Sequence, residues 1–131
     1  MTGLDTNILV RYITHDDPRQ TRAAIRLMTS LTAESRGFIA LIVIAELVWV
    51  LTSFYSFEKH EVVQVLEMLL LSDVLVIERS DLAWQALRKY KTVTAGFSDC
   101  LIEVCGRAAG CQFTFTFDKR ALTGGMRLLE E

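Results

Sequence analysis

The chain has 131 residues, of which 51% are hydrophobic and 23% charged, with 14 basic against 16 acidic side chains. This length predicts one domain (residues 1–131), and the composition excludes a disordered chain. The formal net charge of −2 excludes a strongly basic protein that coats DNA, but it leaves open a nucleic-acid enzyme whose acidic metal site offsets a basic surface.

Short apolar segments alternate with helical periodicity along the chain. The first segment ends at Asp5, and Asp17 followed by Pro18 is typical of a helix start, here of a helix that runs to about residue 33. The further predicted elements are a β-rich run over 38–42, helices over 44–54 and 57–71 (the second capped by Ser56), a strand over 74–77, a helix from Ser80, a helix over 99–109 capped by Ser98, and strands over 113–117 and 127–129.

Strands that alternate with helices predict an α/β domain with a mostly parallel central sheet. Sheets of this kind bind ligands beyond the carboxyl ends of their strands, so we expect the functional residues there.

Neither a membrane span nor a disulfide framework is predicted. The longest unbroken apolar run covers residues 38–45, well short of the ~20 residues of a spanning helix, and Asp5 stands where a secretory signal would be apolar. We therefore expect a cytoplasmic protein. The odd number of cysteines and the lack of a C-x-x-C pair argue against a disulfide framework, and the distance of His15 and His60 from them argues against a zinc site. We therefore expect all three to be reduced and buried: Cys100, Cys105 and Cys111.

Four acidic residues occupy positions that are typical of metal-binding or catalytic residues. Asp5 and Asp118 each follow a predicted strand, and Asp99 opens a predicted helix. Glu46 interrupts the apolar stretch 38–51, so we expect it to lie in a largely buried helix with a cation or a hydrogen-bond donor nearby. Local roles remain open for all four, as helix caps, a first-turn acid, a turn residue or a surface residue.

Carboxylates gathered at one rim repel one another unless a cation binds them. A hard divalent ion with oxygen ligands, Mg2+ or Mn2+, suits such a cluster. Two such ions would activate a water molecule and stabilise the leaving oxygen of a phosphodiester. The four acids thus favour metal-dependent hydrolysis.

Four segments, GLDTNILVRY (3–12), IAEL (44–47), FSD (97–99) and TFDKR (116–120), resemble the PIN-domain ribonucleases, and among these the VapC toxins of VapBC toxin–antitoxin modules. The resemblance covers the chain from residue 1 to about residue 129. It implies a three-layer α/β/α fold with about five mostly parallel strands. It also implies an endoribonuclease in which Mg2+ or Mn2+ is held by Asp5, Glu46, Asp99 and Asp118, with Asn7 and Thr116 supporting the site by hydrogen bonds.

The same resemblance implies an RNA substrate, a homodimer and a cognate VapB-type antitoxin. Operator DNA would be bound only through the antitoxin, and no membrane partner is expected. We expect Lys119 and Arg120 to bind the phosphates of RNA, because they are adjacent to Asp118 in the sequence. Further candidates for RNA contact are Arg88, Lys89 and Lys91, and Arg11 with the arginines at 19, 22 and 26, although the last three also fit a solvated helix face. We expect Trp49 and Trp84 in the core. The apolar helix 57–71 fits a dimer or antitoxin surface as well as a helix buried on two sides.

Two other functions compete with the nuclease. A phosphatase with an aspartate nucleophile needs a second acid two residues after the first, where this chain has Asn7, so attack by water is favoured. The remaining alternative is a non-catalytic nucleic-acid-binding regulator in which the acids hold a structural divalent ion. Incubation of total RNA with Mg2+, with and without EDTA, separates the two.

Overall fold

A computed structural model describes residues 1–131. The chain forms two compact units, Met1–Ser80 and Asp81–Glu131. Each unit combines helices with a parallel sheet, which confirms the predicted α/β class.

The first unit contains three strands and four helices: β1 (Thr2–Gly3), α1 (Thr6–Thr14), α2 (Pro18–Ser30), β2 (Gly37–Ile39), α3 (Leu41–Phe54), α4 (Lys59–Leu70) and β3 (Leu75–Ile77). The strands form a parallel sheet in the order β1-β2-β3, with Gly37 opposite both Thr2 and Leu75. Helix α1 packs against α2 and α3. All three carboxyl ends therefore open on one edge of this sheet.

The core of the first unit is built from one face of each helix. In α3 the buried residues Ile44, Leu47 and Leu51 recur three and four positions apart. The spacing leaves another face for Glu46, which is exposed, and for Trp49, which is 56% exposed. The predictions of a buried Glu46 and a core Trp49 were wrong, because α3 buries one face and its apolar composition extends beyond that face.

Several helix boundaries differ from the prediction. Asp17 caps α2 as expected, and its carboxylate accepts a hydrogen bond from the backbone N–H of Gln20 at 3.1 Å. Ser56 does not cap α4; it has a left-handed φ of 55°, and Glu58 is the capping residue. Gly96, and not Ser98, precedes the helix that carries Asp99.

The second unit begins in the first turn of α5 (Ser80–Tyr90) and continues with α6 (Phe97–Ala108), β4 (Phe115–Thr116), a 3-10 helix (Lys119–Gly124) and β5 (Arg127–Leu128). Strands β4 and β5 pair in parallel. The five predicted strands are thus found as three in one unit and two in the other.

The cysteines are all free, but only Cys100 is buried; Cys105 is half-buried and Cys111 is exposed. The expectation that all three are buried was therefore wrong, because Cys111 lies in the turn after α6, beyond its packed face. None of the helices has both the length and the hydrophobicity needed to cross a bilayer.

Candidate metal centre

Asp5 lies where the first strand ends. The backbone N–H of Leu4 still donates to the Phe38 carbonyl of the neighbouring strand at 2.9 Å, and the chain then turns into α1. Asp5 caps that helix in an extended conformation, and its Oδ1 accepts a hydrogen bond from the Thr6 N–H at 2.7 Å. Its carboxylate is thereby fixed at the carboxyl edge of the sheet.

Glu46 is the sixth residue of α3, which starts directly beyond β2. The first N–H of α3, that of Leu41, donates to Oε1 of Glu78 at 2.9 Å, and Glu78 follows β3. The helix start is therefore tied to the same sheet edge as Asp5. The Thr6 hydroxyl donates to Oε1 of Glu46, so Thr6 bonds both acids, one through its backbone and one through its side chain.

One cavity of about 450 Å³ contains this pair of acids. Its lining combines two carboxylates, a guanidinium group and aromatic side chains, and consists of Asp5, Thr6, Asn7, Val10, Arg11, Glu46, Val50, Phe54 and Tyr55. The volume falls within the range of roughly 300–1,000 Å³ of small-molecule sites. We refer to it as the acid-pair cavity.

A hydrogen-bonded network holds Arg11 at the wall of the acid-pair cavity. Its Nη1 lies 2.9 Å from Oδ1 of Asp16 and 3.3 Å from the Tyr55 hydroxyl, which itself donates to Asp16. The hydrogen bond with Tyr55 raises the pKa of Arg11, and hydrogen bonding to Tyr55 together with the charge of Arg11 lowers the pKa of Asp16. Sequence reasoning missed Thr6 and Tyr55. The only sequence signal for a role of Thr6 was its position next to Asp5, and no sequence signal indicated Tyr55.

The second unit carries the other two predicted acids. Asp99 is the third residue of α6 and is half-buried. Asp118 follows β4 and caps the 3-10 helix, where its Oδ1 accepts from the Arg120 N–H at 2.9 Å. The hydroxyl of Thr116 accepts from the Asp118 N–H at 3.0 Å, which anchors the turn.

Arg120 pairs with Asp118 in the second unit. Its guanidinium lies 3.3 Å from an oxygen of Asp118, and this hydrogen bond lowers the pKa of Asp118. The same bond raises the pKa of Arg120, and the charge of Asp99 raises it further. Arg120 therefore neutralises part of the charge of Asp118. The predicted RNA-binding residues Lys119 and Arg120 are both exposed.

A buried ion-pair cluster holds the segment that follows Asp118. Lys89 of α5 donates to the Gly124 carbonyl at 2.7 Å and to the carboxylate of Glu103, which is only 4% exposed. Arg107 binds the other oxygen of Glu103 at 2.7 Å. Burial alone would raise the pKa of Glu103, but hydrogen bonds from Lys89 and Arg107 bring it below its ordinary value. Sequence reasoning missed this cluster, for which the one signal was the i,i+4 spacing of Glu103 and Arg107 within a predicted helix.

The structure thus brings two of the predicted acids together, because Asp5 and Glu46 share hydrogen bonds from Thr6. In the second unit Arg120 is bonded to Asp118. No group of three or more His, Cys, Asp or Glu side chains that could hold a metal ion is found. The meeting of all four acids at one rim stays a prediction. The local roles are also present, because Asp5 and Asp118 cap helices and Asp99 lies in a first turn.

The donors in the acid-pair cavity fit a hard divalent cation. They are carboxylate oxygens, with a threonine hydroxyl and an asparagine side chain beside them and no sulfur or imidazole. Mg2+ is commonly bound through one or two carboxylates, with water and substrate phosphates completing its coordination. A pair of acids is therefore a sufficient donor set for this ion.

Comparison with known proteins identifies the family. The model of the PIN domain matches residues 4–123, which include parts of both compact units. No match to a curated protein was found. The chain therefore belongs to the PIN-domain family, whose members are generally nucleases.

Proposed function

We propose that this protein is a metal-dependent endoribonuclease and the toxin of a type II toxin–antitoxin system of the VapBC kind. The observation that carries the proposal is the pair of Asp5 and Glu46, joined through Thr6 in a cavity at the carboxyl edge of the sheet. Membership of the PIN-domain family supports the nuclease chemistry, and the sequence resemblance to VapC toxins supports the biological role.

In this proposal Asp5, Glu46, Asp99 and Asp118 hold Mg2+ or Mn2+. That all four serve the same reaction rests on the family to which the chain belongs. The ion would supply charge that activates the attacking water and stabilises the leaving oxygen of the phosphodiester.

The residues around Asp5 and Glu46 orient these ligands. The Thr6 N–H occupies Oδ1 of Asp5, and the Thr6 hydroxyl occupies Oε1 of Glu46. The other oxygen of each carboxylate remains for a ligand in the cavity. Hydrogen bonds of this kind fix the direction of a ligating group and raise its affinity for the metal. Asn7 lines the same cavity and offers an amide to a bound phosphate or water.

Partners follow from the same proposal. A VapB-type antitoxin would neutralise a homodimer of this chain in the cytoplasm, and operator DNA would be bound only through the antitoxin. Large apolar side chains on helix surfaces, among them Ile42 at 76% and Met68 at 46% exposure, support contact with another protein.

A cleavage assay with matched variants tests the nuclease proposal. We expect the wild type to cut single-stranded RNA in Mg2+ and to stop when EDTA is added. Asp5→Asn and Asp99→Asn should fold normally by circular dichroism and leave RNA intact, whereas Asp73→Asn, an acid in a turn of the first unit, should cut normally. Intact RNA with the metal-loaded wild type would contradict the proposal, as would full activity of Asp5→Asn.

The alternative function is a regulator that binds nucleic acid without cutting it. Asp118 favours it, because this acid already caps a helix and is paired with Arg120. Such a protein would bind RNA and gain thermal stability from Mg2+, yet leave RNA intact. The same cleavage assay separates the two functions.

A further inference from the structure

We propose that RNA extends from the acid-pair cavity along helix α2 as a single strand, with its phosphates bound by Arg19, Arg22 and Arg26. This inference rests on the proposed nuclease function and names the surface that carries its substrate. We refer to these three residues as the arginine track.

Shared lining residues link the acid-pair cavity to the arginine track through an intermediate cavity. The acid-pair cavity shares Asn7 and Arg11 with a second cavity of about 380 Å³. The second cavity shares Gln20 and Ala23 with a third, of about 570 Å³, which is lined by the arginine track. All three cavities lie within the first unit, so the path from the acids to α2 is formed by one compact body.

Arg11 stands at the junction of the first two cavities. Its Nε donates to Oε1 of Gln20 at 2.7 Å, and its Nη1 pairs with Asp16. The side chain is therefore held in place where a chain leaving the acids would pass. Its positive charge, partly neutralised by Asp16, lies between the acids and the arginine track.

The third cavity is strongly cationic. It is lined by three guanidinium groups and by one carboxylate, that of Asp17, whose Oδ1 accepts the capping hydrogen bond from Gln20. Arg19, Arg22 and Arg26 are all exposed, and their spacing of three and four residues places them along one side of α2 over ~10.5 Å. A row of this kind fits a polymer with repeated negative charges better than a single small anion.

The acid-pair cavity adds a surface for a base. Phe54 lines it and is 68% exposed, with Tyr55 beside it. Aromatic side chains next to a cationic groove are the usual means of binding an unpaired nucleic-acid strand, because bases stack on the rings while phosphates meet the cations. Phe54 packs edge-on against Trp49, with ring centroids 5.2 Å apart, and its remaining exposed surface is open to a base, which favours single-stranded RNA.

Charge reversal on α2 tests the arginine track. We compare Arg22→Glu and Arg22→Glu/Arg26→Glu with Arg36→Glu, an exposed arginine of the same unit outside these cavities. Binding of a fluorescent, unstructured RNA of ~16 nucleotides is measured by anisotropy in EDTA across a salt series. We expect roughly tenfold weaker binding for Arg22→Glu, more for the double variant, and no change for Arg36→Glu. The log–log salt slope should fall by ~0.7 for each phosphate that the variant no longer binds.

Cleavage of a short RNA separates this inference from the proposed function. In Mg2+, Arg22→Glu should lose far more activity on the long RNA than on an RNA of ~4 nucleotides, whereas Arg36→Glu should cut both as the wild type does. Binding of the long RNA by Arg22→Glu as tight as by Arg36→Glu would overturn the arginine track whether or not the protein cuts RNA. An equal loss of cleavage activity on short and long RNA in Arg22→Glu would also overturn it. So would an oligoglutamate peptide that binds the wild type as tightly as RNA does and loses binding in Arg22→Glu. If the wild type binds the long RNA through Arg22 but cuts neither the short nor the long RNA, the arginine track is upheld and the nuclease proposal is contradicted.

Discussion

The hydroxyl of Thr6 donates a hydrogen bond to the carboxylate of Glu46, a residue 40 positions further along the chain. The backbone N–H of the same threonine donates to Asp5. Thr6 is 5% exposed, so water cannot readily replace either bond. The relative positions of these two acids thus depend on a residue that is not itself a metal-binding acid.

Removal of the Thr6 hydroxyl should therefore impair the site. We expect Thr6→Val to lower cleavage by about tenfold, a loss of ~1.4 kcal/mol, because Glu46 loses the donor that orients it. Thr6→Ser should retain activity. Thr29→Val, which removes a hydroxyl bonded only to the Ile25 carbonyl within α2, is the matched control. Mg2+ dependence of the cleavage rate is the measurement, and equal rates for Thr6→Val and Thr29→Val would count against this role.

Lys89 should be important for the stability of the second unit. Its ammonium binds both the buried Glu103 and the Gly124 carbonyl, so Lys89→Met leaves a buried carboxylate and a carbonyl short of a donor. We expect a loss of ~2 kcal/mol in the free energy of unfolding, measured in urea. The neighbouring Arg88 is exposed, and Arg88→Met should change stability by less than ~0.5 kcal/mol. Equal losses for the two variants would contradict the importance of the cluster.

The Glu103 cluster also predicts a dependence of stability on pH. The pKa of Glu103 is lower in the folded protein than its ordinary value, because hydrogen bonds from Lys89 and Arg107 outweigh the effect of burial. Such a group stabilises the fold above its unfolded pKa of ~4.3 and loses that contribution as the pH falls through the folded value. We expect the Tm of the wild type to fall more steeply below pH ~5 than that of Glu103→Gln. Parallel Tm curves would show that Glu103 does not contribute in this way.

A side chain at Gly37 should destabilise the first unit. A Cβ at this position in the central strand of the first unit would lie 2.9 Å from Cδ1 of Leu4 and 3.0 Å from Cδ1 of Leu31. We expect Gly37→Ala to cost about 1–3 kcal/mol through overpacking. Gly3→Ala places its Cβ in open space and should be close to neutral in the same denaturation experiment. A neutral Gly37→Ala would mean that these leucine side chains move aside at little cost.

The elements that were predicted best are those whose signals are local. Asp17 and Pro18 mark the start of α2 because capping and the fixed φ of proline act within one turn. The starts of α4 and α6 were misplaced, since Ser56 and Ser98 were chosen by residue type while the backbone begins each helix after Glu58 and Gly96. Glu46 was recognised as an acid in apolar surroundings, but its exposure depends on which face of α3 is packed.

The amino-acid sequence by itself determined the α/β alternation, the four acids in their order, and the resemblance to PIN domains, because these depend on residue type and short-range periodicity. Only the tertiary structure decided that Thr6 bonds Glu46, that Tyr55 holds Asp16 beside Arg11, and that Glu103 is buried against Lys89. These contacts join residues 14 to 40 positions apart. Periodicity shows which face of a helix is apolar, but it carries no information about which turn of another element that face will meet.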